Sequence, residues 1–184
     1  IKKQLDMRRL KEAHGYNVTV FRDFIKDNKN KRGFSSVLIH PSMEDDEVEA
    51  AIKGAYYAAS FVANDYFQLP DKVQGETVML ESILAGLPLQ ESAVKMTEAL
   101  FKEDKDPEAF LNSAELFVTK QTTRIISSQD TKVSYVKYGV KGEFVVQCLK
   151  PQDVELYESF SYNDLKEEAL SLTVKEALRK VKDR

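Results

Sequence analysis

The two histidines are the residues best suited to metal binding or proton transfer, but their spacing favours neither. His14 and His40 lie in different segments, and neither belongs to a His-Glu-x-x-His pattern, which places two ligands on one helix face. His40 comes directly before Pro41 at the end of a predicted strand, so a histidine hydrogen-bonded within a turn is expected there. His14 is predicted to lie in a loop.

Cys148 is the single cysteine and the other candidate for reactive chemistry. It alternates with Phe144 and Val146 on one face of a predicted strand, where a free cysteine behaves as a small core hydrophobe. A nucleophilic thiolate would need an activating histidine, which the sequence does not place nearby. One cysteine forms no internal disulfide, which is typical of a reducing compartment and predicts a cytoplasmic location.

No other motif predicts catalysis or cofactor binding. Gly33-Phe34-Ser35-Ser36 lacks the Gly-x-Ser-x-Gly pattern of a nucleophile elbow and is interpreted as the start of a strand. The acidic pairs Asp45-Asp46 and Glu167-Glu168 fall in the first turns of predicted helices, where they complement the helix dipole. No catalytic, cofactor-binding or metal-binding residue is therefore assigned in this chain.

Two clusters have the composition of binding surfaces. Lys29, Lys31 and Arg32 suit an acidic partner, although a solvated turn is the preferred interpretation. Five aromatic residues in predicted strands suit either a nucleic-acid platform or cross-strand packing: Tyr135, Tyr138, Tyr157, Phe160 and Tyr162. A net charge of -3 and a pI near 5.6 favour packing and argue against nucleic acid as a partner.

Composition places the chain among globular proteins, with 42% hydrophobic and 31% charged residues. The most apolar helical stretch, Val48 to Ala63, contains Glu49 and Lys53 and is too short to cross a bilayer, so no membrane partner is expected. The start at Ile1 lacks the layout of a signal peptide and is interpreted as a cut rather than a natural terminus.

An internal duplication predicts the fold class. Ser42-Met43-Glu44-Asp45 and Ser161-Tyr162-Asn163-Asp164 are both interpreted as helix starts, each after a strand-rich stretch. Five apolar positions in the first helix match five in the second at one constant offset, Ala51, Ala55, Ala58, Ala59 and Val62 matching Leu170, Val174, Ala177, Leu178 and Val181. The class predicted is α+β, with two related units of antiparallel strands, each followed by a packing helix.

The predicted boundaries are residues 1–66 for the first unit, 67–112 for a helical connector and 113–184 for the second unit. In the first unit, Asn17 to Phe24 and Phe34 to Ile39 are predicted to form a hairpin, and Ile1 to Leu10 suits a further strand. In the connector, Val78 to Leu84 suits a short helix and Glu91 to Lys102 a longer one. Five strands forming a meander are predicted in the second unit, with turns that include Gly139 to Gly142: Glu115–Lys120, Arg124–Ser127, Lys132–Tyr138, Glu143–Leu149 and Val154–Phe160.

The order of these segments resembles the N-terminal region of the TldD/PmbA family. The first unit matches through Val18-Thr19-Val20-Phe21-Arg22-Asp23 and Lys31-Arg32-Gly33-Phe34-Ser35-Ser36, followed by an acidic, alanine-rich helix. The second matches through Asn112-Ser113-Ala114-Glu115-Leu116-Phe117-Val118-Thr119-Lys120, Arg124-Ile125-Ile126-Ser127-Ser128, Val133-Ser134-Tyr135 and Val154-Glu155-Leu156-Tyr157. The resemblance covers nearly the whole chain, and its motifs are structural rather than catalytic.

The resemblance implies a function that this chain does not perform alone. Family members are described as modulators of DNA gyrase and as zinc metallopeptidases of unfolded peptides, often as pairs of related subunits. Their His-Glu-x-x-x-His motif belongs to a C-terminal domain, and the family includes subunits without it. The resemblance therefore implies a non-catalytic N-terminal part that shapes access to zinc in the parent protein. The alternative is a non-enzymatic interaction module or an inactive partner subunit.

Overall fold

The computed structural model of the chain describes residues 6–73, 75, 78, 79 and 81–183. The chain divides into two compact units, Ile1–Leu69 and Pro70–Arg184. Each unit consists of a mainly antiparallel sheet with helical packing on it, and the described elements are both helical and extended. The predicted α+β class and its two strand-then-helix units are confirmed.

The first unit is built on a long hairpin. Strand β1 (Tyr16–Lys26) pairs with β2 (Lys29–Ile39) without interruption over all eleven residues. Asp27 and Asn28 form the turn with φ of 54° and 56°, the conformation of a two-residue turn that matches strand twist and that Asp and Asn tolerate. The predicted hairpin is confirmed, but Lys29 to Arg32 extend the strand because two residues suffice for the turn.

One helix covers one face of this hairpin. Helix α1 (Asp45–Ala59) buries Ala55 and Ala59, and the short β3 (Asn64–Asp65) adds to the edge of β2. The predicted apolar face is confirmed at those two alanines, whereas Ala58 is exposed and Val62 lies beyond the helix end. Glu44 rather than Ser42 caps α1, since its amide donates to Glu47 Oε2 at 2.9 Å in a capping box.

The segment before the hairpin differs from its prediction. Residues 6–10 have no regular secondary structure, and Met7 and Leu10 are exposed. Within the described ranges no strand pairs with them, so their alternation does not belong to a sheet. The first five residues of the predicted strand, Ile1 to Leu5, lie outside the described part.

The second unit contains the larger sheet. Its central strand β6 (Lys132–Cys148) pairs antiparallel with β5 (Ala109–Ile126) on one side and with β7 (Val154–Tyr162) on the other. On the β7 side, the short β4 (Val78–Met79) pairs parallel to Tyr135 and Val136 of β6. Helices α2 (Leu89–Phe101) and α3 (Glu167–Lys182) pack on the sheet.

The core of this unit lies between that sheet and its helices. Helix α3 buries all five residues of its predicted apolar face, Leu170, Val174, Ala177, Leu178 and Val181. Residues that were assigned to a connector contribute as well, since Leu84, Met96, Ala99 and Leu100 belong to the same core. Most of 67–112 is therefore integral to the second unit, which begins at Pro70.

Three predictions in this unit are wrong. The structure has three strands where five were predicted, because β5 and β6 are each one continuous strand. Strand β6 continues through Gly139 to Gly142, where a turn was predicted. Val140 is fully buried there, and Gly142 lies opposite Phe160, whose ring fills the space that a side chain would occupy. Val78 to Leu84 is no helix: the described part holds β4 and a 3₁₀ turn at Ile83–Gly86.

The third wrong prediction is the start of the last helix. Ser161 belongs to β7, and α3 begins at Glu167 after Lys166. Asp164 instead accepts hydrogen bonds from Ser82 Oγ at 2.8 Å and from the Ile83 amide at 2.9 Å. Its carboxylate thus holds the 3₁₀ turn beside the helix start, a role that the Ser-x-x-Asp pattern does not reveal.

Candidate interaction surface

Arg32 is a buried charged residue of the first unit with several hydrogen-bond and ring partners. The hairpin register places it opposite Asp23, and its Nε and Nη2 donate to the two Asp23 carboxylate oxygens at 2.6 and 2.7 Å. Its Nη1 donates to the Phe67 carbonyl at 2.6 Å, and the guanidinium lies 4.5 Å from the centre of the Tyr66 ring. Arg32 is only 5% exposed, so the prediction of a solvated turn is wrong for this residue.

The hydrogen bonds between Arg32 and Asp23 favour the ionised form of both side chains. The bond from Arg32 lowers the pKa of Asp23, and the bond to Asp23 raises the pKa of Arg32. Both groups therefore stay ionised across the physiological range. The neighbouring Lys31 is also paired, with Nζ 2.6 Å from Asp65 Oδ1, a contact that lowers the pKa of Asp65.

Gly33, the next residue on β2, lets helix α1 come close to the sheet. A Cβ atom at this position would lie 1.8 Å from the Ala59 carbonyl oxygen and 2.5 Å from that of Val62. Only glycine permits this approach of two backbones. The motif Gly33-Phe34-Ser35-Ser36 thus serves the packing of α1 and not a nucleophile.

The sheet face opposite Gly33 carries exposed aromatic rings. Phe21 and Phe34 face each other in the register, with ring centres 6.2 Å apart, and Phe67 meets Phe21 edge to face at 6.1 Å. These three residues, named the aromatic face below, are 36%, 45% and 42% exposed. Ile25 and Leu38 on the same side are exposed too. Clusters of exposed apolar groups of this kind mark contact sites on protein surfaces.

The second unit distributes its aromatic residues differently. Tyr138 and Phe160 are buried, and the rings of Phe160 and Tyr162 stack at 5.5 Å, so the predicted packing is confirmed for these. Tyr157 and Tyr135 are exposed. The hydroxyl of Tyr157 donates to Glu143 Oε2 at 2.7 Å, which raises the pKa of the tyrosine.

The residues considered for reactive chemistry are divided between the two units, with His14 and His40 in the first and Cys148 in the second. Nδ1 of His40 is 2.8 Å from Ser42 Oγ, in the turn arrangement that was predicted, and His14 is exposed in a segment without regular structure. Cys148 is 2% exposed in the core, and its Sγ donates to the Lys150 carbonyl at 3.1 Å. Within residues 6–73, 75, 78, 79 and 81–183, no three His, Cys, Asp or Glu side chains come together as a metal site.

Crossing a bilayer requires a helix that is both long and apolar. Among the described residues, no helix meets both conditions.

Sequence comparisons give no relative: no family model and no curated protein matches this chain. Its fold is similar to that of TldE from Thermococcus kodakarensis, with a TM-score of 0.56 and 15% sequence identity. The match covers 91% of this chain and 42% of that one, so the chain spans less than half the length of the solved protein. What the two share at this identity is the fold, an α+β arrangement of TldE type.

Sequence reasoning missed the Arg32 arrangement and the aromatic face. The alternation of apolar residues assigns Phe21 and Phe34 to strands, but it does not predict which face of the sheet the helix covers. The signal was Gly33, because a glycine in a strand indicates close approach of another backbone. Its neighbours Phe34 and Arg32 must then point away from α1.

Proposed function

We propose that this chain is the non-catalytic N-terminal part of a TldD/TldE-type protein and shapes access to a zinc site that other residues of the parent protein supply. The observation that carries the proposal is the TldE-type fold, which extends over 91% of this chain but only 42% of the solved protein. The sequence resemblance to the TldD/PmbA family supports the same assignment. The burial of the single cysteine is compatible with a cytoplasmic location.

The described residues do not fit a zinc site. The chain has two histidines, and Nδ1 of His40 lies 2.8 Å from Ser42 Oγ. Structural and catalytic zinc sites use three or four His, Cys, Asp or Glu ligands converging on one point, and no such group is formed within the described ranges. No catalytic step is therefore assigned to residues of this chain.

The aromatic face is the part of this chain that we assign to peptide handling. Unfolded peptides expose apolar side chains, and a ring surface such as Phe21, Phe34 and Phe67 binds them with large contact area and few rotatable bonds. The Arg32–Asp23 pair links β1 and β2 on the same sheet face, beside these rings. The role proposed is to retain an unfolded peptide near a reaction centre.

The test uses the full-length gene product, its zinc content and its cleavage of a fluorescently labelled, denatured polypeptide. We expect bound zinc, and we expect Phe34→Ser to reduce cleavage severalfold without changing the zinc content. The matched control is Phe61→Ser, which removes an exposed ring of the same size just after α1 that packs on Tyr57 of that helix. A zinc-free full-length protein, or equal cleavage by both variants and the wild type, would contradict the proposal.

The second candidate is a non-enzymatic interaction module or inactive partner subunit, which the exposed aromatic face also favours. In that case the full-length protein binds no zinc, and Phe34→Ser weakens binding to a homologous subunit instead of cleavage. Modulation of DNA gyrase is a property implied only by the family resemblance. An absence of retarded bands in an electrophoretic shift assay would argue against direct DNA binding.

A further inference from the structure

Within the described residues, three of the long strands pair with a neighbour on one side only. There, β1 pairs only with β2, and β5 and β7 each pair only with β6. An open edge presents unpaired backbone N–H and C=O groups, and its natural ligand is another extended chain. The three edges differ in how well they suit that ligand.

Two of them carry features that oppose pairing. The register of β5 shifts between Leu111 and Ser113, and the strand carries Glu115, Lys120 and Arg124. Strand β7 is short and contains Glu155 and Glu158. Bulges and charges of this kind are the usual protection of sheet edges.

The edge of β1 has no such protection along Tyr16 to Phe21. These six residues carry no charge, include no Pro or Gly, and belong to a strand that pairs with β2 without a shift of register. Valine, threonine and aromatic residues favour extended structure. The first charged residues, Arg22 and Asp23, follow only at the end of this stretch.

We propose that this edge pairs antiparallel with the same edge of a second copy of the chain. With Thr19 opposite Thr19 on the two-fold axis, Val18 faces Val20, and Tyr16 faces Arg22. Threonine and valine pairs stabilise antiparallel strands, and arginine attracts an aromatic ring. No two like charges meet in this register, and a net charge of -3 per copy gives little long-range repulsion.

The resulting dimer has one continuous sheet with the strand order β3-β2-β1-β1-β2-β3. Because the two-fold axis is perpendicular to the sheet, both aromatic faces lie on the same side of it. Self-pairing thus doubles the apolar surface that one copy presents. This inference does not depend on the peptidase role: a dimer whose full-length parent supports no cleavage keeps it, and a chain that stays monomeric overturns it even if the full-length parent cleaves peptides.

The test measures the mass of the 184-residue chain by sedimentation equilibrium, with the wild type expected to dimerise. Thr19 is exposed, so Thr19→Lys and Thr19→Glu should fold, as circular dichroism will check. Each variant alone places like charges opposite each other and should dimerise about tenfold or more weakly. An equimolar mixture of the two should recover the dimer, because lysine then faces glutamate.

The control is Ser36→Lys, which changes the hydrogen-bonded partner of Thr19 on β2, away from the open edge. It should leave the dimer unchanged. A wild type that is monomeric up to about 100 µM, a dimer unaffected by Thr19→Lys, or a mixture that fails to recover would each overturn the proposal. So would a dimer lost with Phe34→Ser but kept in Thr19→Lys, since the contact would then be the aromatic face.

Discussion

Arg32 illustrates what individual residues contribute that neighbours in sequence do not reveal. In the sequence it follows two lysines after a polar turn, and yet its guanidinium is buried and bonded to Asp23, Phe67 and the ring of Tyr66. Those partners come from a facing strand and from a segment beyond α1. Burial of a cation is tolerated because all three nitrogens of the guanidinium donate hydrogen bonds.

Replacing Asp23 with Asn tests this pair through its pH dependence. The folded-state pKa of Asp23 lies below its ordinary value of 3.8, so the ionised pair stabilises the folded state above that pH and is lost as pH falls through the lowered pKa. Asp23→Asn should therefore lower the melting temperature at pH 7, and the difference from wild type should vanish in strong acid. Glu49→Gln, which breaks an exposed pair with Lys53, should change the melting temperature little at any pH.

Gly33→Ala tests the approach of α1 to the sheet. The added methyl group collides with two backbone carbonyls, so the free energy of unfolding of the first unit should fall by about 1–3 kcal/mol or more. Gly54→Ala is the matched control, since a Cβ there meets nothing within 4 Å inside α1. It should raise the free energy of unfolding by about 0.5–1 kcal/mol, as measured by urea titration.

At the scale of elements, local pattern predicted the hairpin, α2 and α3 well. The apolar face of α3 is a strict helical repeat, and all five of its members are buried. Strand continuity was harder to predict, because Gly139 to Gly142 has turn composition but lies in the middle of β6. Tertiary contacts keep this segment in the strand: Val140 is enclosed by the core, and the Phe160 ring occupies the space over Gly142.

The helical starts were mispredicted for a related reason. Ser42 and Asp164 have side chains suited to capping, but each finds a different partner, His40 and the 3₁₀ turn respectively. Competing acceptors and donors from elsewhere in the fold are invisible in a local window. The aromatic face was missed likewise, since strand alternation does not say which side a helix covers.

Two leucines of α3 separate core packing from helix propensity. Leu170 is fully buried and Leu172 is 59% exposed, two positions along the same helix. Leu170→Ala should cost the second unit about 2–5 kcal/mol, whereas Leu172→Ala should stay within about 0.5 kcal/mol. Equal losses in chemical denaturation would mean that α3 is not anchored by the face assigned to it.

At the scale of the molecule, the second unit has a self-sufficient core. Every buried residue of that core lies between Leu84 and Val181, and 115 residues are enough for an ordinary small domain. Residues 70–184 expressed alone should therefore fold, with dispersed amide NMR signals and a cooperative thermal transition. A spectrum with collapsed dispersion would show that this core needs residues from outside the unit.

Cys148 provides a chemical probe of how often the second unit opens. Because it is the single thiol of the chain and lies in the core at the end of β6, a thiol-modifying reagent can attack it only when the sheet opens. Under native conditions the labelling rate should report the population of open molecules. Leu170→Ala should accelerate labelling, and changes confined to the first unit, such as Gly33→Ala, should leave it unaltered.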